Sequence, residues 1–233
     1  MGRFFRMILL LAGVVLAGNA VAREPTQQEI DDWFNDDSSQ RIAAVNEGQL
    51  VFLRQPPAKP VHHHSNIMTI DDAAVASGWV ELRQCHEHLD KVPATQIVFR
   101  EDRVRDLEIA SSRGIGRVWV DGASVQLRDV GPGARLCLRV MSHALIKNAD
   151  GTYHVNSGPF MRRFLDGYYP MHVSMDVRLR TDRLRYLDIT PAKQDGLEVS
   201  AGPHEVKFDA WFEGRLRTLI RFIPVPADGR PPA

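Results

Sequence analysis

The stretch Met171–Ile189, MHVSMDVRLRTDRLRYLDI, decides the fold. Its first half places Met171, Val173, Met175, Val177 and Leu179 at every second position, with His172, Ser174, Asp176, Arg178 and Arg180 between them. Successive side chains of a strand point to opposite faces, so this alternation describes a strand with one face packed and the other wet. Val206, Phe208, Ala210 and Phe212 repeat the pattern against Lys207, Asp209, Trp211 and Glu213. Leu136, Leu138 and Val140 repeat it against Arg135, Cys137 and Arg139. Turn signals fall between such runs at Asp121-Gly122, Gly131-Pro132-Gly133, Asn148 to Gly151, Asp166-Gly167 and Gly202-Pro203. The rhythm is immunoglobulin-like, and the expected class is all-β, an antiparallel sandwich.

The second half of the stretch recurs. Leu179–Ile189 (LRTDRLRYLDI) matches Phe99–Ile109 (FREDRVRDLEI) at six of eleven positions, at an offset of 80. At that offset Ser77-Gly78 faces Ser157-Gly158, Arg83 faces Arg163, Gly116 faces Gly196 and Gly122 faces Gly202. Asp129 likewise faces Asp209, and Arg135-Leu136 faces Arg215-Leu216. A recurrence of fixed period points to duplication of a β-unit; chance sharing of R-x-D-R by two hairpins is the plain alternative. Two tandem sandwich units are expected, at 61–145 and 146–224, with an arm (23–60) before them and a flexible proline-bearing tail (225–233) after. Within the arm, Thr26 is an N-cap with Glu29 three residues on, and Ile30, Trp33 and Phe34 share one face of a short helix. Gln49–Arg54 reads as a first short strand, and Val61–Ser77 as a loop with one short strand.

Residues 1–22 read as a signal peptide. Arg3 and Arg6 precede an apolar run from Met7 to Ala17, and Ala20-Val21-Ala22 supplies the small-x-small cleavage pattern. Eleven apolar residues are too few to span a bilayer, so no stable membrane insertion is expected after cleavage. The expected location is the periplasm, or outside the cell. Without Arg3 and Arg6, 27 basic side chains stand against 29 acidic ones, a net charge of −2 that offers nucleic acid no footprint. Cys85 and Cys137 form an even pair, which in an oxidising compartment favours a disulfide.

Candidate chemistry centres on Gln84–Asp90, QCHEHLD, and on the run His62-His63-His64. Imidazole suits copper or zinc, and His86 and His88, two apart on a strand, would project to one face. The metal set would be His62, His63, His64, His86 and His88, with copper or zinc as the cofactor; a solvated histidine loop, with no cofactor, explains the same residues. Cys85 and His86 are adjacent, so on a strand they face opposite ways and cannot act as nucleophile and base. No G-x-S-x-G elbow, Walker loop, H-E-x-x-H or EF-hand pattern occurs, and no catalytic residue is assigned.

Gly158–Pro170 gathers Arg162, Arg163, Phe164, Tyr168 and Tyr169, the composition of a binding hot spot, or else of a seam between the units. Trp79, Trp119 and Trp211 fall on the polar parity of their strands, where they form either an exposed aromatic platform or a surface covered by the N-terminal arm or the other unit. The expected function is that of an exported, non-catalytic β-sandwich protein binding a partner or ligand. A periplasmic copper- or zinc-binding protein is the alternative.

Overall fold

The computed structural model describes residues 47–225. The expected signal peptide, the helix expected from Thr26 and the expected tail beyond Val225 lie outside these residues. The chain runs β1 (Val51–Phe52), β2 (His63–Asp71), a short helix α1 (Asp72–Ser77), β3 (Trp79–Leu89), β4 (Val92–Val98), β5 (Val104–Asp121) and β6 (Ser124–His143). It continues through β7 (Leu145–Lys147), β8 (Tyr153–Phe160), β9 (Arg162–Phe164), β10 (Gly167–Tyr169) and β11 (Met171–Arg180). The last four strands are β12 (Leu184–Thr190), β13 (Leu197–Ala201), β14 (Glu205–Glu213) and β15 (Leu216–Pro224). The all-β class is as expected.

Nine strands form one sheet along the path β1–β14–β11–β2–β3–β6–β4, with β13 added to β14 and β5 to β6. Four more form a second sheet, β12–β15–β8–β7, while β9 and β10 form a separate hairpin. The pairings are antiparallel with one exception: β2 runs parallel to β11, from His63 opposite His172 to Asp71 opposite Arg180. The large sheet therefore crosses position 145/146, taking β2 to β6 from one side and β11, β13 and β14 from the other.

The alternations in β11 and β14 hold, and Met171, Val173, Met175, Val177, Leu179, Val206, Phe208, Ala210 and Phe212 are all buried. They join Val155, Leu216, Ile220 and Phe222 of the second sheet in one core. A second core lies along β6, where Val125, Leu127, Val130, Leu136 and Leu138 meet Ile97, Ile109, Ile115 and Val118.

Two segments differ from expectation. Gly131-Pro132-Gly133 does not end a strand but sits inside the twenty-residue β6. β6 pairs with β4 from Ser124 to Val130 and with β3 from Ala134 to His143, so Pro132, which has no N–H to donate, occupies the change of partner. Val61–Ser77 contains a nine-residue strand in the middle of the sheet, not a loop with a short strand. The reason is the inward face of β2, which carries His64 and Asn66 before Met68 and Ile70 and so conceals the alternation. α1 follows, with the Asp71 side chain accepting from the Ala74 N–H and Gly78 in the left-handed conformation at its C-terminus.

Candidate functional site

Strand parity divides the histidines between two faces of the large sheet. Inward, β2 places His64 and Asn66, and β3 places Gln84 and His86, among otherwise apolar neighbours. His64 pairs in register with His86, and their rings stack at 4.3 Å. His62 Nε2 lies 3.0 Å from His86 Nδ1, and Gln84 Nε2 lies 2.7 Å from His86 Nε2. The His64 ring meets Phe160 of the opposite sheet edge-on at 5.2 Å, and its buried Nε2 has no hydrogen-bond partner. Burial disfavours the imidazolium throughout: His62 is lowered to about 4, His64 to about 3, and His86 well below its ordinary value. Repulsion from His62 adds to this effect at His64 and His86, and from His64 at His86, while at His62 Asp90 opposes it and Arg162 and His63 add to it.

Of the five histidines of the expected metal set, His62, His64 and His86 come together, while His63 and His88 lie apart from them. His63 projects to the outer face, and the β3–β6 register shifts between His86 and Leu89, where His88 takes a φ of 53°. This bulge separates His88, which is exposed, from the buried His86. Among the described residues no group of three or more His, Cys, Asp or Glu side chains is arranged to hold a metal ion.

The outer face carries a polar ladder. Trp211 of β14 pairs with His172 of β11, His172 with His63 of β2, and His63 with Glu87 of β3. The Trp211 and His172 rings stack at 3.9 Å, and so do those of His172 and His63. His63 Nδ1 lies 3.6 Å from Glu87 Oε2, and Arg135 Nε donates to Glu87 Oε1 at 2.6 Å. That hydrogen bond holds the Glu87 carboxyl below its ordinary value. Partial burial and the neighbouring His172 lower His63, against the opposite pull of Glu87. In the next row, Ser174 Oγ lies 2.8 Å from His63 Nε2, and Asp209 Oδ2 lies 2.8 Å from His172 Nε2. Ser174 and Asp209 line a groove of about 480 Å³ with Ser65, Asp176, Ser200 and Lys207.

Cys85 and Cys137 face each other directly across β3 and β6, with Cα atoms 4.1 Å apart, and are disulfide-bonded as expected.

The Gly158–Pro170 segment forms the β9–β10 hairpin, and its five candidate residues divide into anchors and tips. Arg162 donates from Nε and Nη2 to both carboxylate oxygens of Asp90, at 2.9 and 2.6 Å. Tyr168 is only 6% exposed and accepts at its hydroxyl from Arg215 Nε at 2.7 Å. Arg163, Phe164 and Tyr169 are exposed, Leu165, at 110%, stands free at the turn, and Met161 is exposed at the base of the hairpin.

The three tryptophans do not share a platform. Trp79 pairs opposite His143 and Trp119 opposite Gln126, near the two ends of β6 and so roughly 55 Å apart along the strand. Each has its own cover: Arg105 lies over Trp79, Arg117 over Trp119, and His172 against Trp211.

The sequence alone does not show Ser174, Glu87, His172 and Asp209 as neighbours of His63, nor Arg135 as the partner of Glu87. Their parity was legible, but the parallel β2–β11 register that brings His63 to Ser174 was not.

No protein-family model matches the chain, and no curated protein matches it in sequence. Among solved structures it is similar to a two-domain M1 zinc metallopeptidase mutant bound to L-tryptophan, with a TM-score of 0.39 and 12% identity, over 69% of this chain and 42% of that one. It is also similar to the M1 zinc metallopeptidase from Deinococcus radiodurans, with a TM-score of 0.39 and 11% identity, over 69% of this chain and 41% of that one. The chain therefore spans less than half the length of these structures.

Proposed function

We propose that this is an exported binding protein that docks a protein partner with the tip of the β9–β10 hairpin. The observation that carries the reading is the exposure of Phe164 and Leu165 at the turn of a hairpin that belongs to neither sheet, with Met161 and Tyr169 exposed at its base. A solvent-facing apolar tip of this kind marks an interaction surface, and the anchors at Arg162 and Tyr168 reduce the entropy lost when it is ordered by a partner. Exposed Arg163 beside the tip fits a partner cleft that is apolar at its centre and acidic at its rim. The disulfide fits an oxidising compartment, and no helix of the described residues is long and apolar enough to cross a membrane.

A photo-reactive residue at position 165 tests the reading in living cells that export the protein. The expected result is one discrete adduct, lost when Phe164→Ser is added. No adduct, or the same products from the exposed control position Val98, would sink it.

The same reading includes descent from a duplicated unit. β4 and β5 flank β6 as β11 flanks β14 and as β12 and β13 flank β15 and β14. Where β5 and β6 run unbroken, the corresponding strands are interrupted at Gly196 and Gly214. An ancestral hairpin that bends in one copy and breaks in the other accounts for both arrangements.

A further inference from the structure

We infer that Ser174, His63 and Glu87 form an acyl-transfer site on the outer face of the large sheet, acting on O-acyl esters of polyhydroxylated alcohols. The inference is independent of the hairpin and uses none of its residues. Its basis is the placement of a hydroxyl, an imidazole and a carboxylate in series. Ser174 Oγ is 2.8 Å from His63 Nε2, and His63 Nδ1 is 3.6 Å from Glu87 Oε2. A nucleophile within hydrogen-bond reach of a base, with the base oriented by a third group, is the general signature of an activated serine. Three strands supply the three groups, and their cross-strand register fixes the geometry.

The surroundings fit these roles. Arg135 holds Glu87 in place from the far side, and His172 packs flat against His63, limiting rotation of its ring. Glu87, 3.6 Å from Nδ1 and so beyond hydrogen-bond reach, favours the proton on that nitrogen electrostatically, which leaves Nε2 to accept from Ser174. Ser174 opens onto the groove, so an ester carbonyl can reach its hydroxyl. Ser65, opposite Ser174 in the β2–β11 register, offers its hydroxyl to the developing oxyanion. The groove wall also holds Asp176, whose buried Oδ1 has no hydrogen-bond partner, and the hydroxyl of Ser200. These groups accept hydrogen bonds from alcohol hydroxyls, which selects a polyol over an apolar leaving group.

The chemistry balances without an added oxidant or metal. Ser174 Oγ bonds to the acyl carbon while its proton passes to His63 Nε2. Collapse of the tetrahedral intermediate breaks the bond to the alcohol oxygen, which leaves with that proton. Water then attacks the acyl-serine, gives its proton to Nε2, and Ser174 recovers it as the acid departs. The net reaction is ester plus water giving acid plus alcohol.

Treating the purified full chain with a fluorophosphonate probe, and separately with p-nitrophenyl acetate and acetylated xylose, tests this inference. The expected result is a single phosphonylated residue at Ser174, with release of acetate from both esters. Ser174→Ala should abolish the adduct, and His63→Ala should slow labelling and hydrolysis by about 10²-fold or more. Glu87 is a positioning residue, so Glu87→Gln should lower kcat with KM unchanged, and Glu87→Asp should recover part of the loss. Ser174→Cys, similar in size, keeps the test valid if the alanine variant does not fold: its thiolate should take up iodoacetamide faster than a free thiol, and only while His63 is present. An absent adduct, an adduct elsewhere, or hydrolysis unchanged in Ser174→Ala would overturn the assignment.

Discussion

Protonating His64 or His86 would place a cation between the sheets, and burial disfavours the charged form of His62 as well, so all three are neutral in the fold near pH 7. The consequence is a definite pH dependence. In the unfolded chain each histidine takes its proton near pH 6.5, whereas in the fold His62 and His64 do so only at about 4 and about 3. Between those limits the unfolded state binds more protons, so stability is fully present above about pH 6.5 and is lost as the pH falls toward 4. Each of these two groups accounts for a loss on the order of 2 kcal/mol by pH 5. Urea midpoints at pH 7.5 and pH 5 should show this fall, and His64→Gln should flatten it. A midpoint that does not move with pH would contradict the buried, neutral assignment.

At the scale of elements, the break between β14 and β15 depends on Gly214. It sits at a φ of 86°, and a Cβ there would lie 2.0 Å from the Gln49 carbonyl oxygen, inside any real contact. Gly214→Ala should cost more than about 1 kcal/mol, because the substituted backbone is strained and the segment leading into β1 must move away. Chemical denaturation reads that loss directly. The hairpin makes the opposite case. Leu165→Ser at the free tip should change stability by no more than about 0.5 kcal/mol, while Tyr168→Ala should cost about 3 kcal/mol through its lost ring packing and the unpaired Arg215. Equal effects of the two would mean that the hairpin is not anchored as described. How far such elements were legible depended on their inward faces. β11 and β14 bury five and four apolar side chains at alternate positions, and their strand character is plain in the sequence. β2 and β3 bury imidazoles and amides among their apolar residues, and β2 was hidden for that reason.

For the molecule as a whole, the disulfide joins β3 to β6 and closes a sequence separation of 52 residues. By the chain-entropy relation, replacing both cysteines with serine should cost about 4 kcal/mol. Thermal melts with and without reductant should show the same loss in the parent protein and none in the double variant. The large sheet also joins strands from both sides of position 145/146, with β2 and β11 as the parallel seam. Sequence by itself determined the strand class, the cysteine pair and the faces on which most side chains fall, because alternation is a local property of an extended chain. It placed Ser174 on the wet face of its strand but left His63 in a loop, and so could not bring them together. Their meeting is set by the pairing of β2 with β11, between residues 111 positions apart. The separation of His86 from His88 was likewise decided by a bulge in the β3–β6 pairing. Register and bulges arise from packing between distant segments, and a slip of one residue would exchange every inward side chain for an outward one.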